Sequence, residues 1–89
     1  MNAVVTVVGK DRVGIIASVC TLLASYNVNV LDISQTVMQG YFTMMLVVDV
    51  AKANLPLAEL AKKLDSKGEE MALSIRLQRE DIFDAMHRV

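Results

Sequence analysis

Hydrophobic periodicity along the chain switches from about two residues to about 3.6 and back, and each switch marks an element boundary. Residues 3–8, Ala-Val-Val-Thr-Val-Val, are short and β-branched and predict a largely buried strand. The segment that follows, Gly9-Lys10-Asp11-Arg12-Val13-Gly14, is polar and bracketed by glycines, which predicts a loop. Ile15/Ile16, Val19/Cys20, Leu22/Leu23 and Tyr26 then recur at three- and four-residue spacing and make one apolar helical face. Asn27 closes that helix, because asparagine tolerates the left-handed conformation common at helix C-termini.

Residues 28–38 predict a second strand, with Leu31, Ile33 and Val37 alternating with Asp32, Ser34 and Thr36; Gln39-Gly40 is a hairpin turn signal. Tyr41 to Val50 predicts a third strand whose inward set, Phe42, Met44, Leu46, Val48 and Val50, is wholly apolar. Asn54 is placed to cap a second helix with Pro56 in its first turn; Leu57, Leu60, Ala61 and Leu64 form its stripe, and Gly68 closes it. Met71, Leu73, Ile75 and Leu77 alternate with Ala72, Ser74, Arg76 and Gln78 as a fourth, half-exposed strand. Residues 80–89 carry Ile82, Phe83, Met86 and Val89 on one side of a short C-terminal helix. The order β-α-β-β-α-β predicts a ferredoxin-like α+β fold, an antiparallel sheet with both main helices on one face. A single domain over residues 1–89 is expected, its core in residues 1–79 and its terminal helix in 80–89.

Such a sheet leaves its second face open. On the third strand that face carries Tyr41, Thr43, Met45, Val47 and Asp49, and on the first either Val4, Thr6 and Val8 or Ala3, Val5 and Val7. Neither set resembles a solvated surface, and the outer side of the first helix shows Gly14, Ser18, Thr21 and Ser25 where Lys and Glu are usual. With 54% apolar residues in 89, the chain has more apolar surface than one small core hides. A homodimer is the expected cover.

Charge and rare residues narrow the function. Nine Lys and Arg against ten Asp and Glu leave a net charge of −1, with no basic block to neutralise a run of phosphates, so general nucleic-acid binding is excluded. Val13 to Leu31 is uncharged and long enough to span a bilayer, but polar and small residues interrupt it and its period changes within it; no membrane segment is expected. Cys20 is the only cysteine, which leaves no disulfide framework and no Cys-x-x-Cys pair. Together with an amino terminus that lacks a charged n-region, this predicts a cytoplasmic protein. His87 has no second His beside it, and Met38, Met44 and Met45 read as packing rather than a copper site. No metal and no cofactor are expected.

The loop from Gly9 to Gly14 lies between a strand and a helix N-terminus, where unpaired N–H groups and the helix dipole favour an anion. As a pattern it lacks the Lys-Ser/Thr of a P-loop and the third glycine of a dinucleotide fingerprint. Three segments, Val8-Gly9-Lys10-Asp11-Arg12-Val13-Gly14-Ile15-Ile16, Asn27-Val28-Asn29-Val30-Leu31-Asp32-Ile33-Ser34-Gln35 and Gly40-Tyr41-Phe42-Thr43-Met44-Met45, resemble those of ACT domains, in particular small stand-alone ones. The resemblance covers nearly the whole chain. It implies a non-catalytic regulatory module that binds an amino acid or similar small ligand at a dimer interface, as in regulators of amino-acid metabolism such as the glycine cleavage system repressor. It also implies a site made by Asp11, Arg12, Val13, Gly14 and Ile15, completed by Asn29 from a second subunit. Val13 departs from the proline usual in the family, and Gly9 stands where some serine-binding members have a histidine. On the residues alone, Asp11 suits an α-ammonium group and the N–H groups of Gly14 and Ile15 suit an α-carboxylate. Asp11 equally suits the helix dipole without any ligand.

Other functions on the same fold fare worse. An acylphosphatase-like enzyme needs an arginine at the helix start, and Ile16 occupies that place, so Arg12 would have to reach in. RNA binding through the sheet needs aromatic side chains on the central strands, and the first strand has none. Heavy-metal carriage needs Cys-x-x-Cys in the first loop. The alternative that stays open is a ligand-free dimerisation or docking module for a metabolic enzyme or regulator.

Overall fold

The structure, a computed structural model, describes residues 1–81. Its elements are β1 (Asn2–Lys10), α1 (Ile15–Ser25), β2 (Asn29–Met38), β3 (Tyr41–Asp49), α2 (Leu57–Met71) and β4 (Ser74–Arg79). The four strands form one antiparallel sheet in the order β2-β3-β1-β4, the ferredoxin-like arrangement that the alternation of strand and helix patterns predicts. The apolar stripe predicted at Ile82, Phe83, Met86 and Val89 lies outside the described residues.

Period-two alternation decides which face of β1 is buried. Ala3, Val5 and Val7 are fully buried and stand in register with Val48, Leu46 and Met44 of β3, also fully buried. Helical periodicity supplies the opposing layer. Ile15, Val19 and Leu23 of α1 and Leu60, Leu64 and Gly68 of α2 point into the same core. Val4, Thr6 and Val8 therefore share the open face with Met45, Val47 and Thr43. That face is not uniformly wet: Val4 is 4% exposed, while Val8 is 42% exposed.

β2 keeps its predicted alternation but not the burial that alternation implies. Among the described residues it is an edge strand, flanked by β3 alone. Ile33 and Val37 stand opposite buried Leu46 and Phe42, yet at the sheet edge they are 41% and 54% exposed. Leu31 drops out of the alternation, since the register shifts between Val30 and Asp32 and leaves it on a bulge. The Gln39-Gly40 signal forms the expected tight hairpin, with both φ angles positive (53° and 80°).

The second helix departs from the prediction at both ends. Pro56, extended at ψ 154°, precedes the first turn, whereas Asn54 donates its backbone N–H to the Tyr26 carbonyl and caps nothing. At the other end Gly68 does not stop the helix but lies buried within it. A Cβ there would meet the Leu73 carbonyl oxygen at 2.7 Å and Ile75 Cγ1 at 3.3 Å, so the glycine serves close passage of the returning chain. The helix ends instead at Ala72, left-handed at φ 57°. Leu73 N–H donates to Gly68 O at 2.8 Å and Ala72 N–H to Glu69 O at 3.3 Å, the paired closure of a Schellman motif. The fourth strand accordingly starts at Ser74 rather than Met71.

Two substitutions read out this ending. Alanine normally stabilises a helix interior over glycine by about 1 kcal/mol, but Gly68→Ala should destabilise the fold by ~1–3 kcal/mol, because its Cβ strikes main chain. Ala72→Gly should stabilise it by about 1 kcal/mol by relieving a left-handed alanine. Urea unfolding with an unchanged m-value would measure both.

Candidate functional site

Distant parts of the chain hold most of the predicted loop. β1 runs two residues past its predicted end, so Gly9 is a strand residue opposite Phe42 and not part of the loop. A Cβ there would lie 2.4 Å from Leu73 Cδ2, so any larger residue would make the Leu73 side chain shift. Lys10, the last strand residue, pairs with Tyr41. The chain then turns, and Asp11 N–H donates to the Gly40 carbonyl at 2.9 Å, which draws the loop toward the β2–β3 hairpin. The Asp11 side chain is exposed.

Gly14 is the N-cap of α1 and left-handed at φ 96°, with no side-chain cap and no acidic residue in the first turn of the helix. Nothing lies within 4 Å of where its Cβ would be, so the space above the helix start is open. Its carbonyl accepts from Ser18 N–H at 2.9 Å. Ile15, 2% exposed, anchors the first turn in the core, whereas Val13 is fully exposed. The outcome is a helix N-terminus with N–H groups that no side chain satisfies, one carboxylate two residues before the exposed turn, and a glycine that keeps the approach clear.

Arg12 belongs to a different contact. Its Nη2 donates to the Met71 carbonyl at the end of α2. It is therefore not the free loop charge that its local sequence suggests, nor the cation that an acylphosphatase-like site would need to reach inward. Sequence reasoning missed both backbone partners of the loop, Gly40 and Met71. The Gln39-Gly40 turn signal marks the hairpin but carries no trace of what docks on it.

Asn29 lies at the far end of the sheet within the same chain. It pairs with Asp49, whose neighbour on the other side is Asn2, whereas the loop follows the Lys10–Tyr41 pair at the opposite end. A ten-residue strand separates the two ends, roughly 30 Å at strand rise. Around Asn29 the chain forms a polar hollow with Asn27, Asp49 and Lys52, in which Asn27 Nδ2 donates to the Lys52 carbonyl at 2.8 Å. One copy of the chain thus brings Asp11, Gly14 and Ile15 together and leaves Asn29 apart.

Among the described residues, no group of three or more His, Cys, Asp or Glu could hold a metal ion. None of the described helices is long and apolar enough to cross a membrane. The uncharged Val13 to Leu31 segment resolves into a turn, an eleven-residue helix and the start of a strand.

Comparison with known proteins bears on the same elements. A family model described as an ACT domain matches residues 2–78. A UPF0237 protein of Bifidobacterium longum is 53% identical over 88 residues, 99% of this chain and 98% of its own length. An ACT domain protein from Streptococcus pneumoniae superposes with a TM-score of 0.82 at 40% identity, with 98% of each chain covered. A formyltetrahydrofolate deformylase from Pseudomonas syringae pv. tomato shares the fold, with a TM-score of 0.80 at 24% identity; 86% of this chain matches 26% of that one.

The geometry at Gly14 makes a specific demand on its residue. Gly14→Ala should lower stability by ~1–2 kcal/mol through the left-handed backbone alone, since its methyl group meets nothing. Gly14→Asn should cost less, because asparagine tolerates that conformation. Chemical unfolding of the three proteins would give the order.

Proposed function

Since the chain belongs to the ACT-domain family, we propose that it is a non-catalytic regulatory module that binds a small zwitterion, an amino acid, between two copies of itself. The ligand carboxylate takes the N–H groups at Gly14 and Ile15, and Asp11 accepts from the ammonium group. Asn29 of the partner subunit completes the polar shell. Arg12 and Val13 frame the turn rather than supply its charge complement. The lone cysteine, Cys20, is unpaired, which suits a reducing cytoplasm.

The observation that carries this reading is the hydrogen bond from Asp11 N–H to Gly40 O, which tilts the loop toward the hairpin at the sheet edge. β2 is that edge: ten residues with one outer row of backbone groups that no strand among the described residues pairs. It carries a single charge, Asp32, and no proline or lysine to block strand addition. Antiparallel pairing of β2 with its two-fold copy would place each Asn29 beside the other chain's Met38 end, where the loop docks. A residue remote from the site in one chain thereby becomes its neighbour in a dimer. Exposed Leu31, Ile33, Val37 and Met38 would be covered in the same step.

A thermal-shift screen of the twenty amino acids tests the ligand. A binder at a hundred times its Kd adds ~2.7 kcal/mol, which for a domain of this size raises Tm by roughly 10 °C or more. Calorimetry on Asp11→Ala and on Asn29→Ala should show binding abolished or weakened at least tenfold, with stability within about 1 kcal/mol of the parent. Sedimentation should give twice the chain mass. If no amino acid shifts Tm while the dimer persists, the ligand-free docking module takes this reading's place.

A further inference from the structure

We propose that Arg12 is a positioning residue that latches the β1–α1 loop to the end of α2, so that the two segments order and loosen as one unit. The latch does not rest on the ligand site proposed above.

The last carbonyls of a helix need donors from outside its own ladder. At the end of α2 the Gly68 carbonyl is met by Leu73 N–H and the Glu69 carbonyl by Ala72 N–H. The Met71 carbonyl is met by Arg12, 59 residues earlier in the chain. The helix offers no cation of its own at this end, for its last turn holds no basic residue. Lys67, one turn back, is paired with Glu70 at 3.8 Å. A guanidinium arriving from the loop therefore supplies both a donor and the charge that a helix C-terminus favours.

The loop needs the contact as much as the helix does. Between Lys10 and Ile15 it has no apolar anchor, since Val13 points wholly into solvent. Asp11 is held by its N–H to Gly40, and Gly14 by its place at the start of α1. For residues 12 and 13, the Arg12 side chain is the only tie among the contacts described above. Below the strap, the end of β1 that leads into the loop packs on the residue after α2: a Cβ at Gly9 would lie 2.4 Å from Leu73 Cδ2 and 3.5 Å from Leu73 Cα. Leu73 is the residue whose N–H closes α2. Loop and helix end thus share a packed base and one polar strap.

The test is amide hydrogen exchange by NMR on the ligand-free full chain, comparing the parent with Arg12→Ala and Arg12→Lys. Arg12→Ala should speed exchange at Ala72 and Leu73 and at Asp11, the loop amide that donates to Gly40, together, by about three- to tenfold, while Val5 and Leu46 in the sheet change less than twofold. Arg12→Lys, which keeps a charge and a donor, should recover the greater part of that protection. Unchanged exchange at Ala72 and Leu73 in Arg12→Ala would overturn the latch. So would loosening of only one segment, equal acceleration throughout the sheet, or a lysine variant no better than alanine. Because no ligand is present, this experiment can fail while the amino-acid screen succeeds, and the reverse.

Discussion

The central strand β1 is the constraint from which the rest of the molecule follows. It is paired on both sides, with β3 and β4, and one of its faces is sealed completely by Ala3, Val5 and Val7. A strand held this way cannot slip by one residue without turning Ala3, Val5 and Val7 outward and Val4, Thr6 and Val8 inward. Its register thus determines where Gly9 passes Leu73, where Lys10 ends the ladder, and where the following loop emerges. The core sets where the candidate site emerges, and the Asp11–Gly40 and Arg12–Met71 contacts then hold its loop.

Much of this was legible because two periodicities coincide with burial. β1 and β3 alternate cleanly, and their inward sets lie on one side of one sheet. The stripes of α1 and α2 likewise contain their buried residues Ile15, Val19, Leu23, Leu60 and Leu64, although Ile16 of the α1 stripe is exposed. Illegible features arose where a distant part of the chain overrides a local signal. Gly68 looks like a helix stop because glycine commonly sits just past one; only the return of the chain at Leu73 reveals it as a close-packing residue. Ala72 carries no mark of the left-handed turn it makes. The exposure of Ile33 and Val37 depends on sheet order, which alternation within β2 does not encode.

The candidate site divides along the same line. The loop's position, its open helix start and the need for glycine at position 14 follow from local sequence, because strand, turn and helix are contiguous there. The role of Arg12 does not, for its partner is a backbone carbonyl, and backbone atoms leave no residue-type signature. Separation of Asn29 from the loop likewise required the register of three strands. The family match covers residues 2–78 and thus contains every residue of the candidate site.

The tie between Asp11 and Gly40 is made by main-chain atoms at both ends. It holds whatever side chain is grafted onto position 11, short of proline. Location and chemistry are thereby separated at that point: the backbone sets where the group stands, and the side chain is free to be acidic, amidic or neutral. On the proposed reading, a scaffold of this kind changes the molecule it recognises by exchanging one exposed residue, without redrawing the turn that presents it.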